Sequence, residues 1–163
     1  MWCLLEGLFA SDRDGVERRG VALALGPLMS DAPASDFHTT AKVYLEDTDA
    51  QGIVYHANYL KFFERARTDY FDVHGVGLAA AQARGYRFVV YSVDVKFHRA
   101  AVLGDRLEIE TRVSRSSPFR ISFHQKATRA SEPAPVSTAK VEVVCIGPNG
   151  ELSEIPRELL AIP

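Results

Sequence analysis

Between Val89 and Cys145, apolar residues recur at every second position in four successive runs. A period of two sends alternate side chains to opposite faces, so each run reads as a β-strand with one dry face. In the first run Val89, Tyr91, Val93, Val95 and Phe97 share a face, opposite Ser92, Asp94, Lys96 and His98. In the second, Leu107, Ile109 and Val113 oppose Arg106, Glu108, Glu110 and Arg112. In the third, Phe119, Ile121 and Phe123 oppose Arg120, Ser122, His124 and Lys126. In the fourth, Ala139, Val141, Val143 and Cys145 oppose Thr138, Lys140 and Glu142. Turns are expected at Leu103-Gly104-Asp105, Ser116-Ser117-Pro118 and Ser131 to Pro135. Links this short favour antiparallel neighbours.

A sheet that is apolar on one side must have that side covered. The only long segment with helical spacing is Asn58 to His74, where Tyr59, Phe62, Phe63, Ala66, Tyr70 and Val73 follow a period of 3.6. Asn58 is placed to cap its start, and Gly75 stands where a C′ glycine belongs. Leu78 to Arg84 is alanine-rich and reads as a short second helix stopped by Gly85. Upstream, Lys42 to Glu46 alternates, with Val43 and Leu45 on one side, and supplies a fifth strand. The fold class expected is α+β: a five-stranded antiparallel sheet curled around one helix.

The connection into that helix carries the chemistry. It reads Asp47-Thr48-Asp49-Ala50-Gln51-Gly52-Ile53-Val54-Tyr55-His56-Ala57-Asn58-Tyr59. A carboxylate in a tight loop that enters a helix is a plan for acyl chemistry. Hydrolysis of a reactive acyl group needs a nucleophile or base, plus donors for the developing oxyanion. Asp49 serves as either; the plainer alternative is an Asx-turn. The first N–H groups of a helix lack partners, so the amide of His56 is a candidate oxyanion donor, reinforced by the helix dipole. The His56 imidazole is a candidate to orient substrate or relay a proton. Asp47 is expected to brace the loop, and Gly52 to supply a positive φ or a close substrate approach. Tyr55 and Asn58 flank the loop as candidate substrate-binding residues, with packing the plainer role for Tyr55 and for Tyr59.

Other chemistries fit less well. Asp47-x-Asp49-x-Gln51-Gly52 imitates the start of a calcium loop, but Asn58 stands where a bidentate glutamate is needed and a strand precedes it. No Gly-x-Ser-x-Gly elbow occurs, and Cys145 falls on a dry strand face as an inert core thiol. No cofactor or metal is expected. A net charge of −2 gives no footprint for nucleic acid. Two cysteines, Cys3 and Cys145, make no disulfide framework, which favours a reducing, cytoplasmic setting. No apolar run reaches the roughly 18 residues of a membrane span. The 163 residues fit one domain. Residues 1–36, rich in charge and then in Ala, Ser, Pro and Asp, read as a weakly ordered extension, and residues 37–163 as the domain.

The ordered motif Asp47-Thr-Asp49-x-x-Gly52-x-Val54-Tyr55-His56-x-Asn58-Tyr59, followed by Phe-Glu-Arg-Ala-Arg, closely resembles the hotdog-fold acyl-CoA thioesterases. Within them it resembles the 4-hydroxybenzoyl-CoA thioesterase family, in the branch associated with the bacterial Tol-Pal system. The resemblance covers roughly residues 40 to 147. It implies a hotdog fold, homodimers that pair into tetramers, and active sites at the dimer interface. It places the catalytic aspartate on Asp49 and the motif histidine on His56. The implied substrate is an acyl-CoA, with acyl carrier protein as a further partner, and a non-catalytic acyl-binding protein as the alternative. The three phosphate groups of coenzyme A call for a basic rim, for which Arg115, Arg120 and Lys126 are the candidates. The turn before the third strand is shorter and less basic here than in the hydroxybenzoyl-specific members.

Overall fold

The computed structural model describes residues 36–160. The elements run β1 (Phe37–Lys42), a 3₁₀ turn (Leu45–Asp47), α1 (Asn58–His74), α2 (Leu78–Ala83), β2 (Arg87–Phe97), β3 (Arg106–Ser117), β4 (Arg120–Arg129) and β5 (Glu132–Ile146). The strands form one sheet in the order β1-β3-β4-β5-β2. All four pairings are antiparallel. This is the α+β hotdog layout, with α1 against the inner face. The expected extension over residues 1–36 lies outside the described residues except for Asp36. Asp36 belongs to the folded part, since its carboxylate accepts two hydrogen bonds from Arg112, at 2.7 and 3.1 Å.

The core forms where the two periods meet. Tyr59, Phe62, Phe63, Ala66, Tyr70 and Phe71 of α1 are buried against Leu107, Ile109, Val113, Ile121, Phe123, Val141 and Val143 of the sheet. Each fully buried aromatic or branched side chain contributes about 2–3 kcal/mol of transfer free energy. The buried stripe departs from expectation at its end: Val73 is 67% exposed and Phe71 takes its place. Phe71 packs on Phe88 and Phe123, with ring centroids 4.7 and 5.9 Å away.

Both ends of α1 differ from the sequence reading in how they close. Asn58 is the first helical residue rather than the cap, which is Ala57. Its side chain donates instead to the carbonyl of Asp47. Gly75 is not left-handed; its backbone is extended, with φ −143°. The glycine is required by space: a Cβ there would meet the Leu159 carbonyl at 2.5 Å.

Four strand assignments also shift. The fifth strand is Phe37–Lys42, ahead of the Lys42–Glu46 segment, whose latter half forms the 3₁₀ turn. In β2 the register slips between Val90 and Ser92, leaving Tyr91 as the extra residue of a bulge. The slip reverses the alternation, so Phe88 and Val90 lie opposite Cys145 and Val143, with Val93 and Val95 continuing that face. Val89 and Tyr91 therefore sit on the outer face, not the inner one. Finally, β5 already starts at Glu132 and includes Pro133 and Pro135, which the sequence reads as a turn. The prolines fall where the β4–β5 register is interrupted, so no ladder donor is lost from a regular stretch. Phe119, expected in a strand, occupies the turn between β3 and β4.

Candidate active site

The Asp47–Asn58 segment folds as a small hairpin docked on the start of α1. Thr48 bridges Val54 in antiparallel fashion, and Ile53 bridges Val102. At the tip, Asp49 N–H donates to Ile53 O and Gly52 N–H donates to Asp49 O, both at 2.9 Å. Gly52 closes this turn with φ +75°, a conformation that costs other residues about 1–2 kcal/mol. No heavy atom lies within 4 Å of the position a Cβ would take there. The glycine thus serves the backbone conformation.

Two main-chain anchors hold the hairpin. Val54 N–H donates to Ala101 O at 2.8 Å. The Asp47 carbonyl accepts both Tyr55 N–H, at 2.8 Å, and Asn58 Nδ2, at 3.0 Å. Asp47 is 5% exposed, and its Oδ2 accepts Tyr44 N–H at 2.9 Å, closing the 3₁₀ turn. This is the bracing role expected of it. Tyr59 adds a third anchor, its hydroxyl accepting Ala101 N–H at 3.2 Å. Burial raises the Tyr59 phenol above its ordinary value, partly offset by that amide.

Asp49 itself is half-buried. Its Oδ1 accepts Gln51 N–H at 2.8 Å, so an Asx-turn fixes one oxygen. Among the described residues no donor meets Oδ2. His56 is exposed, and its ring lies against Tyr55 and Phe97, with centroids 4.4 and 6.1 Å away. Among the described residues, the N–H groups of His56 and Ala57 meet no acceptor. They stand at the positive end of the 17-residue α1. Tyr55 is 46% exposed, and its ring contact is with His56.

The basic candidates do not gather into one rim. Arg115 is half-buried and donates to Ile155 O at 3.4 Å. Arg120 pairs with Glu142 at 3.3 Å and lies 4.4 Å above the Tyr91 ring. Lys126 pairs with Glu110 at 2.5 Å on the outer face. Arg120 and Lys126 are thus engaged by carboxylates of the sheet, and Arg115 by a carbonyl of the segment after β5.

The sequence reading missed the polar interior. Arg67, Thr111 and Gln125 are 7%, 0% and 3% exposed among the core residues. A signal was there: Arg67 sits one helical turn beyond Phe63, and Gln125 lies between Phe123 and Ala127 on the apolar parity of β4. The sequence reading singled out neither position as inward.

Comparison with known proteins agrees with this architecture. The profile of the thioesterase-like superfamily matches residues 43–162. Acyl-CoA thioester hydrolase YbgC of Escherichia coli O6:H1 is 39% identical over 112 residues, covering 69% of this chain and 83% of that one. Acyl-CoA thioesterase YbgC of Haemophilus influenzae is 40% identical over 111 residues, covering 68% and 80%. Among solved structures, a probable thioesterase from Bartonella henselae superposes with a TM-score of 0.67 at 33% identity, covering 75% of this chain and 100% of that one. A 1,4-dihydroxy-2-naphthoyl-CoA thioesterase from Synechocystis, at 23% identity and a TM-score of 0.72, shares the fold over 76% and 92%.

Proposed function

The chain belongs to the thioesterase-like superfamily, and we propose that it is an acyl-CoA thioesterase that hydrolyses short- or medium-chain or aromatic acyl-CoA to the free acid and coenzyme A. Asp49 is the catalytic carboxylate. As a general base it takes a proton from the water that attacks the thioester carbon. As a nucleophile it forms an acyl anhydride and expels the thiolate, and water then cleaves the anhydride. In both routes the carbonyl oxygen gains negative charge while the C–S bond breaks. The amides of His56 and Ala57 receive that charge; one such donor is worth about 3 kcal/mol in the transition state.

The observation that carries this reading is the pairing of a braced carboxylate whose second oxygen is free, among the described residues, with amides at the start of α1 that meet no acceptor there. The expected test follows free thiol while the protein is mixed with a panel of acyl-CoA esters. Release no faster than with Asp49→Ala, for every ester, overturns the proposal. One observation favours a binding-only protein: Gln51 N–H already occupies Asp49 Oδ1. Saturable acyl-CoA binding without hydrolysis would identify that case.

We further propose self-association through β2. It is an edge strand of 11 residues, and its Val90, Val93 and Phe97 are 40%, 44% and 52% exposed. An edge strand of this length, with these apolar side chains exposed, is what a second copy would cover.

A further inference from the structure

Arg67 and Arg129 each tie separate elements of this fold together, with different results. Arg67 of α1, with 8% of its side chain exposed, does so inside the core. Its Nη1 donates to Gln125 Oε1 at 2.9 Å, and its Nη2 donates to Glu64. Gln125 Nε2 in turn donates to Phe63 O at 2.9 Å and to Thr111 Oγ1 at 3.2 Å. That chain binds helix to sheet and ends there. Arg129, the last residue of β4, leads instead to the hairpin that carries Asp49.

The path runs through loop 98–105, which joins β2 to β3. Arg129 spans both stems of this loop. Its Nη2 donates to the carbonyl of Ala100 on one stem, and its Nε donates to Asp105 Oδ2 on the other, at 2.9 Å. The same Oδ2 accepts Val102 N–H at 3.0 Å, closing the turn from Val102 to Asp105. Nη1 donates to Glu132 Oε1 at 3.0 Å, and Glu132 Oε2 accepts Arg99 Nη1 at 3.1 Å. An exposed ion pair contributes little by itself. The Arg129 and Asp105 side chains are each only 21% exposed, and the planar fork meets three acceptors at once. A lysine ammonium lacks that fixed geometry.

Between those stems lie the residues that grip the hairpin. Ala101 is fully buried. Its N–H donates to the Tyr59 hydroxyl at 3.2 Å, and its carbonyl accepts Val54 N–H at 2.8 Å. Val102 bridges Ile53, whose carbonyl accepts Asp49 N–H at 2.9 Å. A continuous path of hydrogen bonds and main chain thus runs from the Arg129 fork to the backbone of Asp49. A reacting group is only as well placed as the shell that supports it.

We propose that Arg129 is a positioning residue of the hydrolytic site: its fork sets the shape of loop 98–105, and the grip of Ala101 and Val102 on the hairpin sets where Asp49 stands. The proposal rests on the thioesterase reading above and adds a residue that acts through Asp49 without touching substrate.

The test compares the full chain with Arg129→Gln and with Arg129→Lys, which keeps the charge and loses the fork. All measurements are made well below the melting temperature of each protein. Amide hydrogen exchange is expected to quicken about tenfold at Asp49 and Val54 in Arg129→Gln, with the amides of Phe62 to Tyr70 in α1 unchanged. The kcat for an acyl-CoA ester is expected to fall about tenfold, with KM within about twofold of wild type. Arg129→Lys is expected to fall between the two. In an Asp49→Asn background, Arg129→Gln is expected to change the residual turnover by less than about twofold, since the carboxylate it acts through is gone. Unchanged exchange in the hairpin overturns the proposal, as does exchange that quickens equally along α1. An equal loss of kcat in both backgrounds also overturns it, because a merely structural arginine acts that way. Any of these results with an active wild type counts against Arg129 alone. A wild type that releases no thiol from any ester overturns the thioesterase reading and, with it, the role in hydrolysis given to Arg129.

Discussion

Asn58 donates through Nδ2 to the main-chain oxygen of Asp47 at 3.0 Å, joining the first residue of α1 to the base of the hairpin. The same oxygen accepts Tyr55 N–H, so the carboxylate loop and the helix start move as one body. Asn58→Ala is expected to cost about 1–2 kcal/mol of stability by freeing a buried acceptor. It should also lower kcat by loosening the loop. Asn58→Asp should be worse, because it sets a carboxylate against a carbonyl oxygen. Urea unfolding and thiol-release kinetics measure both effects.

Asp49→Asn keeps the Asx-turn acceptor and removes the base. Turnover should fall by about 10²–10⁴-fold, with a melting temperature close to wild type. A large drop in melting temperature would instead mark Asp49 as a structural residue.

Within the fold Gly52 answers to its positive φ, and no neighbour crowds it. Gly52→Ala should therefore cost about 1–2 kcal/mol from backbone strain alone, with no steric addition. Gly52→Asn should cost less, since asparagine tolerates the left-handed region. Comparing the two by thermal unfolding separates strain from clash.

Removing the acceptor that Gln125 gives Arg67 leaves a buried charge under-satisfied. Gln125→Leu is expected to destabilise by about 2–4 kcal/mol. Adding Arg67→Met should recover part of that loss, and a double-mutant cycle by urea unfolding gives the coupling.

Cys145 is fully buried, and burial pushes its thiol up from 9.0 to about 11. The unfolded chain loses this proton first, so it binds fewer protons than the folded one between these values. Stability should be insensitive to this group below about pH 9 and decline as pH rises toward about 11. Denaturant unfolding across that window should show a smaller decline for Cys145→Ala.

Much of the fold was legible because burial on one face writes its own period. The α1 span from Asn58 to His74 was readable to the residue, since Phe62, Phe63 and Ala66 leave no other register. The hidden parts are those where a local device breaks the period. The bulge at Tyr91 turns over the first half of β2, and no residue type announces a bulge. Lys42 to Glu46 alternates, but its latter half coils into a 3₁₀ turn because Asp47 Oδ2 captures Tyr44 N–H. At the candidate site the loop residues were readable as a motif, and the structure holds Asp47, Asp49, Gly52, Tyr55, His56 and Asn58 in one hairpin-to-helix unit. The basic rim was not readable, because which of Arg115, Arg120 and Lys126 stays available depends on partners far away in sequence: a carbonyl of Ile155 for Arg115, and the cross-strand carboxylates Glu142 and Glu110 for the other two.

The link from Arg67 through Gln125 to Thr111 makes three distant positions a single unit of change. Replacing one strands the others, so drift at any of them is penalised until a matching change follows. Among descendants of this chain these positions should be inherited together, or exchanged together for an apolar set of similar volume, while the solvent-facing residues between them vary freely.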